Sequence, residues 1–214
     1  MAYTVHSRSL TISANYFNVS VFRESWLLSE NILKPEDVDP TKSFFSPNFI
    51  HVENPNFELL IRPPALTIDL KENSNIIFFE IANKIIDKLP HLDYLGLQIE
   101  TTFLIEDFDE TLGKNFFYNS NNSLFKFFSN EEEKPRFGAY LSKEIFNGRL
   151  KIQANPALVL QEDEKTKNVF LLVECNLDKE MSREKNHEVS ENIISDTKAF
   201  YEYSKSLVDS LNEK

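Results

Sequence analysis

Between Phe57 and Ile105 the chain reads strand, helix, strand, and that run restricts the folds open to it. Leu95, Leu97, Ile99, Thr101, Phe103 and Ile105 alternate with polar neighbours over Tyr94 to Ile105. Strict alternation of this kind belongs to an antiparallel sheet with one wet face. Phe57, Leu59 and Ile61 share one face, and Leu66, Ile68 and Leu70 share another. Pro63-Pro64 separates the two runs, because proline has no N–H for a ladder. Between these strands, Phe78, Ile81, Ala82, Ile85 and Leu89 fall at helical spacing, widened by Ile77 and Ile86. With Ser74 as N-cap and Pro90 as terminator, a long helix is predicted over Asn75 to Leu89.

The rest of the chain continues the pattern. Arg8 to Phe22 reads as one long strand whose apolar phase shifts at Phe17, Val19 and Val21, as a β-bulge would shift it. Glu24 to Leu33 predicts a short helix with Trp26, Leu27 and Leu28 inward, and Pro35 and Pro40 enforce a loop. Asn48 to Val52 is a short strand. Phe137 to Ile145, Leu150 to Leu160 and Val169 to Leu177 are three more, with a turn at Asn147-Gly148. Val189, Ile193, Thr197, Phe200, Ser204, Leu207 and Leu211 mark one face of a second long helix over His187 to Leu211.

The expected class is therefore α+β: mainly antiparallel sheet covered by two long helices, at about 75–89 and 187–211. The order strands, helix, strands, helix is compatible with two similar strand-then-helix halves, and Pro64-Ala65-Leu66 is echoed by Pro156-Ala157-Leu158. Residues 1–214 are expected to form one domain, or two lobes at 1–110 and 135–214 joined by an insertion or connector at 111–134.

Charge narrows the partners. With 23 Lys and Arg against 34 Asp and Glu, the formal net charge is -11. Such a field repels nucleic-acid backbones and suits a basic protein surface. A homo-oligomer stays open. The start MAYTVHSRSL lacks a signal-peptide core, and no run approaches the roughly 18 apolar residues of a membrane span. A cytoplasmic location with no membrane partner is expected. Cys175 is the single cysteine, so no intrachain disulfide forms.

Chemical signatures are missing. Four glycines leave little room for phosphate-binding loops, and neither a nucleophile elbow nor a dinucleotide fingerprint occurs. His6, His51, His91 and His187 are isolated in sequence. Cys175 lies on an apolar strand face, where a thiol is inert. Asp107 and Asp109 follow the Tyr94 strand, but Leu112 and Tyr118 stand where a calcium loop needs Gly and Glu. No catalytic, cofactor-binding or metal-binding residue is assigned, no cofactor is expected, and the sequence leans away from an enzyme.

The expected role is a non-enzymatic protein-binding module, such as an inhibitor, an antitoxin-like neutraliser or an adaptor. Its candidate surface is Glu106, Asp109, Phe116, Phe117, Phe125 and Phe127, carboxylates and aromatics around a polar tip. One alternative is a divergent enzyme using scattered carboxylates, with Asp107, Asp109, Asp69 and Glu100 available. Another is a small-molecule carrier with its pocket between sheet and helices.

Overall fold

A computed structural model describes residues 3–71, 74–105, 138–160, 167–182 and 186–211. Its strands are β1 (Tyr3–Ala14), β2 (Phe44–Phe45), β3 (Ile50–Glu53), β4 (Phe57–Arg62), β5 (Ala65–Leu70), β6 (Tyr94–Ile105), β7 (Ala139–Ile145), β8 (Gly148–Leu160) and β9 (Lys167–Glu180). They form one nine-stranded sheet in the order β2-β3-β4-β5-β1-β6-β9-β8-β7. Every pairing is antiparallel. The described helices are α1 (Glu24–Ser29), α2 (Glu80–Lys88) and α3 (Asn186–Ser210).

The expectation of a sheet covered by two long helices is overturned. Among the described helices only α3, with 25 residues, is long. The first segment begins as a 3-10 turn, Ile76–Phe79, and continues as α2, an α-helix of nine residues. The cap is Asn75, one residue later than expected; its side chain accepts the Ile77 N–H, while Ser74 is buried. Nine strands at about 4.8 Å span about 40 Å, and a helix is only about 10 Å wide. The two packed helices therefore cover the middle of the sheet and leave the flanks to other chain.

On the β3–β4 flank the cover comes from the connection after β1. There the expected long strand ends early: Ala14 and Phe17 donate their N–H groups to the carbonyls of Pro64 and Pro63. Val19–Val21 then forms a 3-10 turn. The phase shift in the sequence is thus the end of a strand. Phe17, Val19, Phe22, Leu27, Ile32 and Leu33 are all buried in the same core as Ile50, Val52, Phe57, Leu59 and Ile61.

Strand connection follows one pattern on both sides of the central β1–β6 pair. β1 is bonded to the last strand of the meander β3-β4-β5, and β6 to the last strand of β7-β8-β9. The Pro-Ala-Leu echo does not follow this pattern, since Pro64 precedes β5 while Pro156 lies within β8. Among the described residues β7 pairs with β8 as far as Ala154, two residues before Pro156.

One face of the sheet is apolar and lies under the helices. Leu10 and Ile12, Leu97, Ile99 and Phe103, and Val173, Cys175 and Leu177 point into it, against Ile81, Ile85, Ile193 and Phe200. Phe103 of β6 is the centre of an aromatic group, with Tyr3 edge-on at 5.7 Å and Tyr201 of α3 stacked at 6.4 Å. An ion pair between the buried Lys179 and the half-buried Asp196 ties β9 to α3, and Ser190 donates to Asp87 across the two helices.

Candidate functional site

The opposite face of the sheet is polar, and strand register decides which of its residues meet. Glu53 pairs with Glu58, Glu58 with Asp69, Asp69 with Ser9, Ser9 with Glu100, and Glu100 with Asn176. Lys151 and Ser142 complete the row on β8 and β7. Carboxylates thus stand on three adjacent strands, β3, β4 and β5, and again on β6. Like charges directly opposite one another across a ladder are destabilising.

Cations offset part of that cost at one end. Lys71 Nζ lies 3.4 Å from Glu53 and 3.6 Å from Glu58, and Lys42 lies 3.7 Å from Glu53. His51 Nε2 is 2.9 Å from Glu58 Oε1, within ion-pair range but too poorly aligned for a hydrogen bond. At the other end Lys151 pairs with Asp178, and Arg149 approaches Glu144 at 3.8 Å. Asp69, Glu100 and Glu174, in the middle, make no ion pair within 4 Å among the described residues.

Their environment is visible in their acidity. Burial raises the Asp69 carboxyl above its ordinary value, Glu58 adds to the rise, and Lys71 only partly opposes it. Burial likewise raises Glu100, with further contributions from Glu174, Asp69 and Asp178 in that order. Glu174 and Asp178 flank Asn176, so they are the two diagonal neighbours of Glu100. Asn176 itself has a buried side-chain oxygen without a hydrogen-bond partner. Asp69 and Glu100 sit two strands apart, about 10 Å across Ser9.

Asp69 and Glu100, two of the carboxylates expected to be available for chemistry, are therefore brought together by the sheet. Asp107 and Asp109 lie outside the described residues. So do all six members of the expected interaction surface: Glu106, Asp109, Phe116, Phe117, Phe125 and Phe127. Glu58, Glu174 and Asp178 were missed by sequence reasoning. Each lies at a polar position of an alternating strand, but nothing in one strand reveals which strand stands beside it.

Cys175 is fully buried, and that burial pushes its thiol up to about 11. Among the described residues no group of three or more His, Cys, Asp or Glu is placed to hold a metal ion. No helix among them is long and apolar enough to cross a membrane. A groove of about 730 Å³ lies at the β7–β8 turn and is lined by Leu95, Phe146, Arg149, Lys151 and Lys179 among others. No known family model matches this chain, and no curated protein matches its sequence.

Proposed function

We propose that this chain is a non-enzymatic protein-binding module that docks a basic protein on the carboxylate-rich face of its sheet. The observation that carries this reading is the central group Asp69, Glu100 and Glu174, half-buried carboxylates without ion pairs among the described residues. Such a group costs stability in the free protein, and a cationic partner would turn that cost into binding energy. The formal charge of -11 would speed the encounter with the same partner. The segment with Glu106, Asp109, Phe116, Phe117, Phe125 and Phe127 follows β6, and on sequence grounds it joins the reading as a source of aromatic anchors.

The test is affinity capture from the native host, followed by binding kinetics of the captured protein on Asp69→Asn with Glu100→Gln. The expected result is a basic partner whose association slows in the variant and depends less steeply on salt. Unchanged kinetics in a folded variant would remove this face from the interface. Turnover of a small molecule that is lost in the same variant would replace the reading by a carboxylate-dependent enzyme.

A further inference from the structure

The sheet ends on β7, whose outer side has no strand partner among the described residues. The edge at the other end, β2, is two residues long and offers another chain little to pair with. Longer edges are usually blunted by proline, bulges or charged side chains. β7 has seven residues, contains no proline, and pairs with β8 without a bulge. Its two charges are drawn back into their own chain: Lys143 Nζ lies 4.6 Å from the centre of the Tyr203 ring of α3, and Glu144 approaches Arg149 of β8 at 3.8 Å. Two large side chains stay uncovered. Tyr140 is 63% exposed on the polar face, opposite Gln153, and Leu141 is 59% exposed on the helix-covered face, opposite Ile152. The hairpin also fixes where the main-chain groups of this edge point. Ile145 and Gly148 close a two-residue loop and exchange hydrogen bonds, and bonding alternates along an antiparallel pair. The N–H and C=O groups of Tyr140, Ser142 and Glu144 therefore point away from β8.

We propose that β7 pairs antiparallel with β7 of a second copy of this chain, about a two-fold axis at Ser142. The outward-pointing residues are spaced evenly around Ser142, so this register satisfies every one of their main-chain groups. Ser142 bonds to Ser142 of the second copy, and Tyr140 of each copy bonds to Glu144 of the other. Residues opposite one another on a ladder share a face. Tyr140 thus meets Glu144 on the polar face, Leu141 meets Lys143 on the helix-covered face, and no like charges stand directly opposite. The two Leu141 side chains are diagonal neighbours across the axis. So are the two lysines, each held over its own Tyr203 ring. The strand is its own complement, which is what a closed two-fold contact requires. It is also a neutral stretch, with one lysine and one glutamate, in a chain of formal charge -11. Two copies can meet there without local repulsion, and at physiological salt charges more than about 8 Å away are largely screened. A contact through one strand is smaller than the roughly 1,200 Å² of standard interfaces, so the dimer is weak, with a dissociation constant between about 1 μM and 1 mM. The contact does not involve Asp69, Glu100 or Glu174, which lie on β5, β6 and β9.

The experiment is sedimentation equilibrium of the full chain at physiological salt, over a concentration series reaching about 1 mM, with amide hydrogen exchange at both ends of the series. A reversible monomer–dimer equilibrium is expected, with slower exchange at the N–H groups of Tyr140, Ser142 and Glu144 in the dimer. Tyr140→Glu puts like charges opposite one another in both symmetric pairs and should weaken the dimer about tenfold. Tyr140→Lys puts opposite charges there and should keep the dissociation constant within about threefold. Tyr140 is exposed, so both variants should fold, which circular dichroism checks. Ser142→Pro should abolish the dimer and leave the β7–β8 ladder intact, because the N–H it removes points away from β8. A chain that stays monomeric throughout overturns the proposal, including one whose β7 amides are protected only by a foreign protein. A dimer of full strength in a folded Tyr140→Glu places the contact elsewhere and overturns it equally. Equal losses in Tyr140→Glu and Tyr140→Lys rule out pairing about Ser142 and overturn it as well.

Discussion

Asp69 and Glu100 show how a residue's cost can be read from its neighbours. Both carboxyls have folded-state pKa values raised chiefly by burial and then by neighbouring carboxylates. A raised carboxyl favours the folded state only when it is protonated. Its penalty is complete above the folded pKa, fades as pH falls through that value, and is absent below the unfolded value of about 4. Asp69→Asn and Glu100→Gln should therefore raise the urea midpoint at pH 7, each by a gain within the roughly 0.2–1 kcal/mol of a cross-strand pair. The gain should shrink towards pH 4. A loss of stability at pH 7 would mean that these carboxylates are favourably partnered. Cys175 offers a simpler case. Buried, with its thiol raised to about 11 while the Ser204 hydroxyl pulls weakly the other way, it should ignore an aromatic disulfide reagent in the native protein. It should react as soon as denaturant unfolds the chain. Rapid labelling of the native state would contradict its place in the core.

At the scale of elements, the β7–β8 hairpin shows why a sound turn signal can be one residue off. Ile145 pairs with Gly148, so the two-residue loop is Phe146-Asn147, and both have positive φ, 55° and 53°. That is the type I′ geometry whose twist matches the strands. Asn147 suits it; Phe146 pays a backbone cost and gains an edge-on contact with Tyr203 at 6.0 Å. Gly148 is the first residue of β8, and its role is space rather than φ. A Cβ there would lie 2.5 Å from the Asp178 carbonyl oxygen and 2.8 Å from Lys179 Cγ. Gly148→Ala should cost about 1–3 kcal/mol, as overpacking does, measured by chemical denaturation; a neutral result would show that β9 can move away. The strands with clean alternation, β4, β5 and β6, were legible because each has one buried face. The stretch after Ala14 was misread because Phe17 and Val19 continue an apolar pattern although the ladder has ended on the Pro63 and Pro64 carbonyls. The carboxylate row was legible only as polar positions, since its convergence depends on strand order.

At the scale of the whole molecule, the β1–β6 ladder governs how the chain can come apart. It joins the β2–β5 side of the sheet to the β7–β9 side over most of both strands. Phe103 of β6 is packed by Tyr3 of β1 and Tyr201 of α3, so the aromatic centre draws on both ends of the chain. Truncating Phe103 or Phe200, both fully buried, should each cost about 3–5 kcal/mol by opening a cavity. The same geometry bears on the division into 1–110 and 135–214. Separated, the first piece would expose the edge of β6 that pairs with β9 and lose α3; the second would expose β9 and lose the strand on which its core continues. An uncovered edge of that length invites pairing with other chains. Fragments 1–110 and 135–214 should therefore be unfolded or aggregated alone, and the intact chain should unfold in one transition by circular dichroism and Trp26 fluorescence alike. Coincident curves are the expected result, because one continuous core and one sheet leave no boundary at which cooperativity can break. Two separated transitions, or a fragment that gives dispersed amide signals by itself, would show that the two sides are independent lobes.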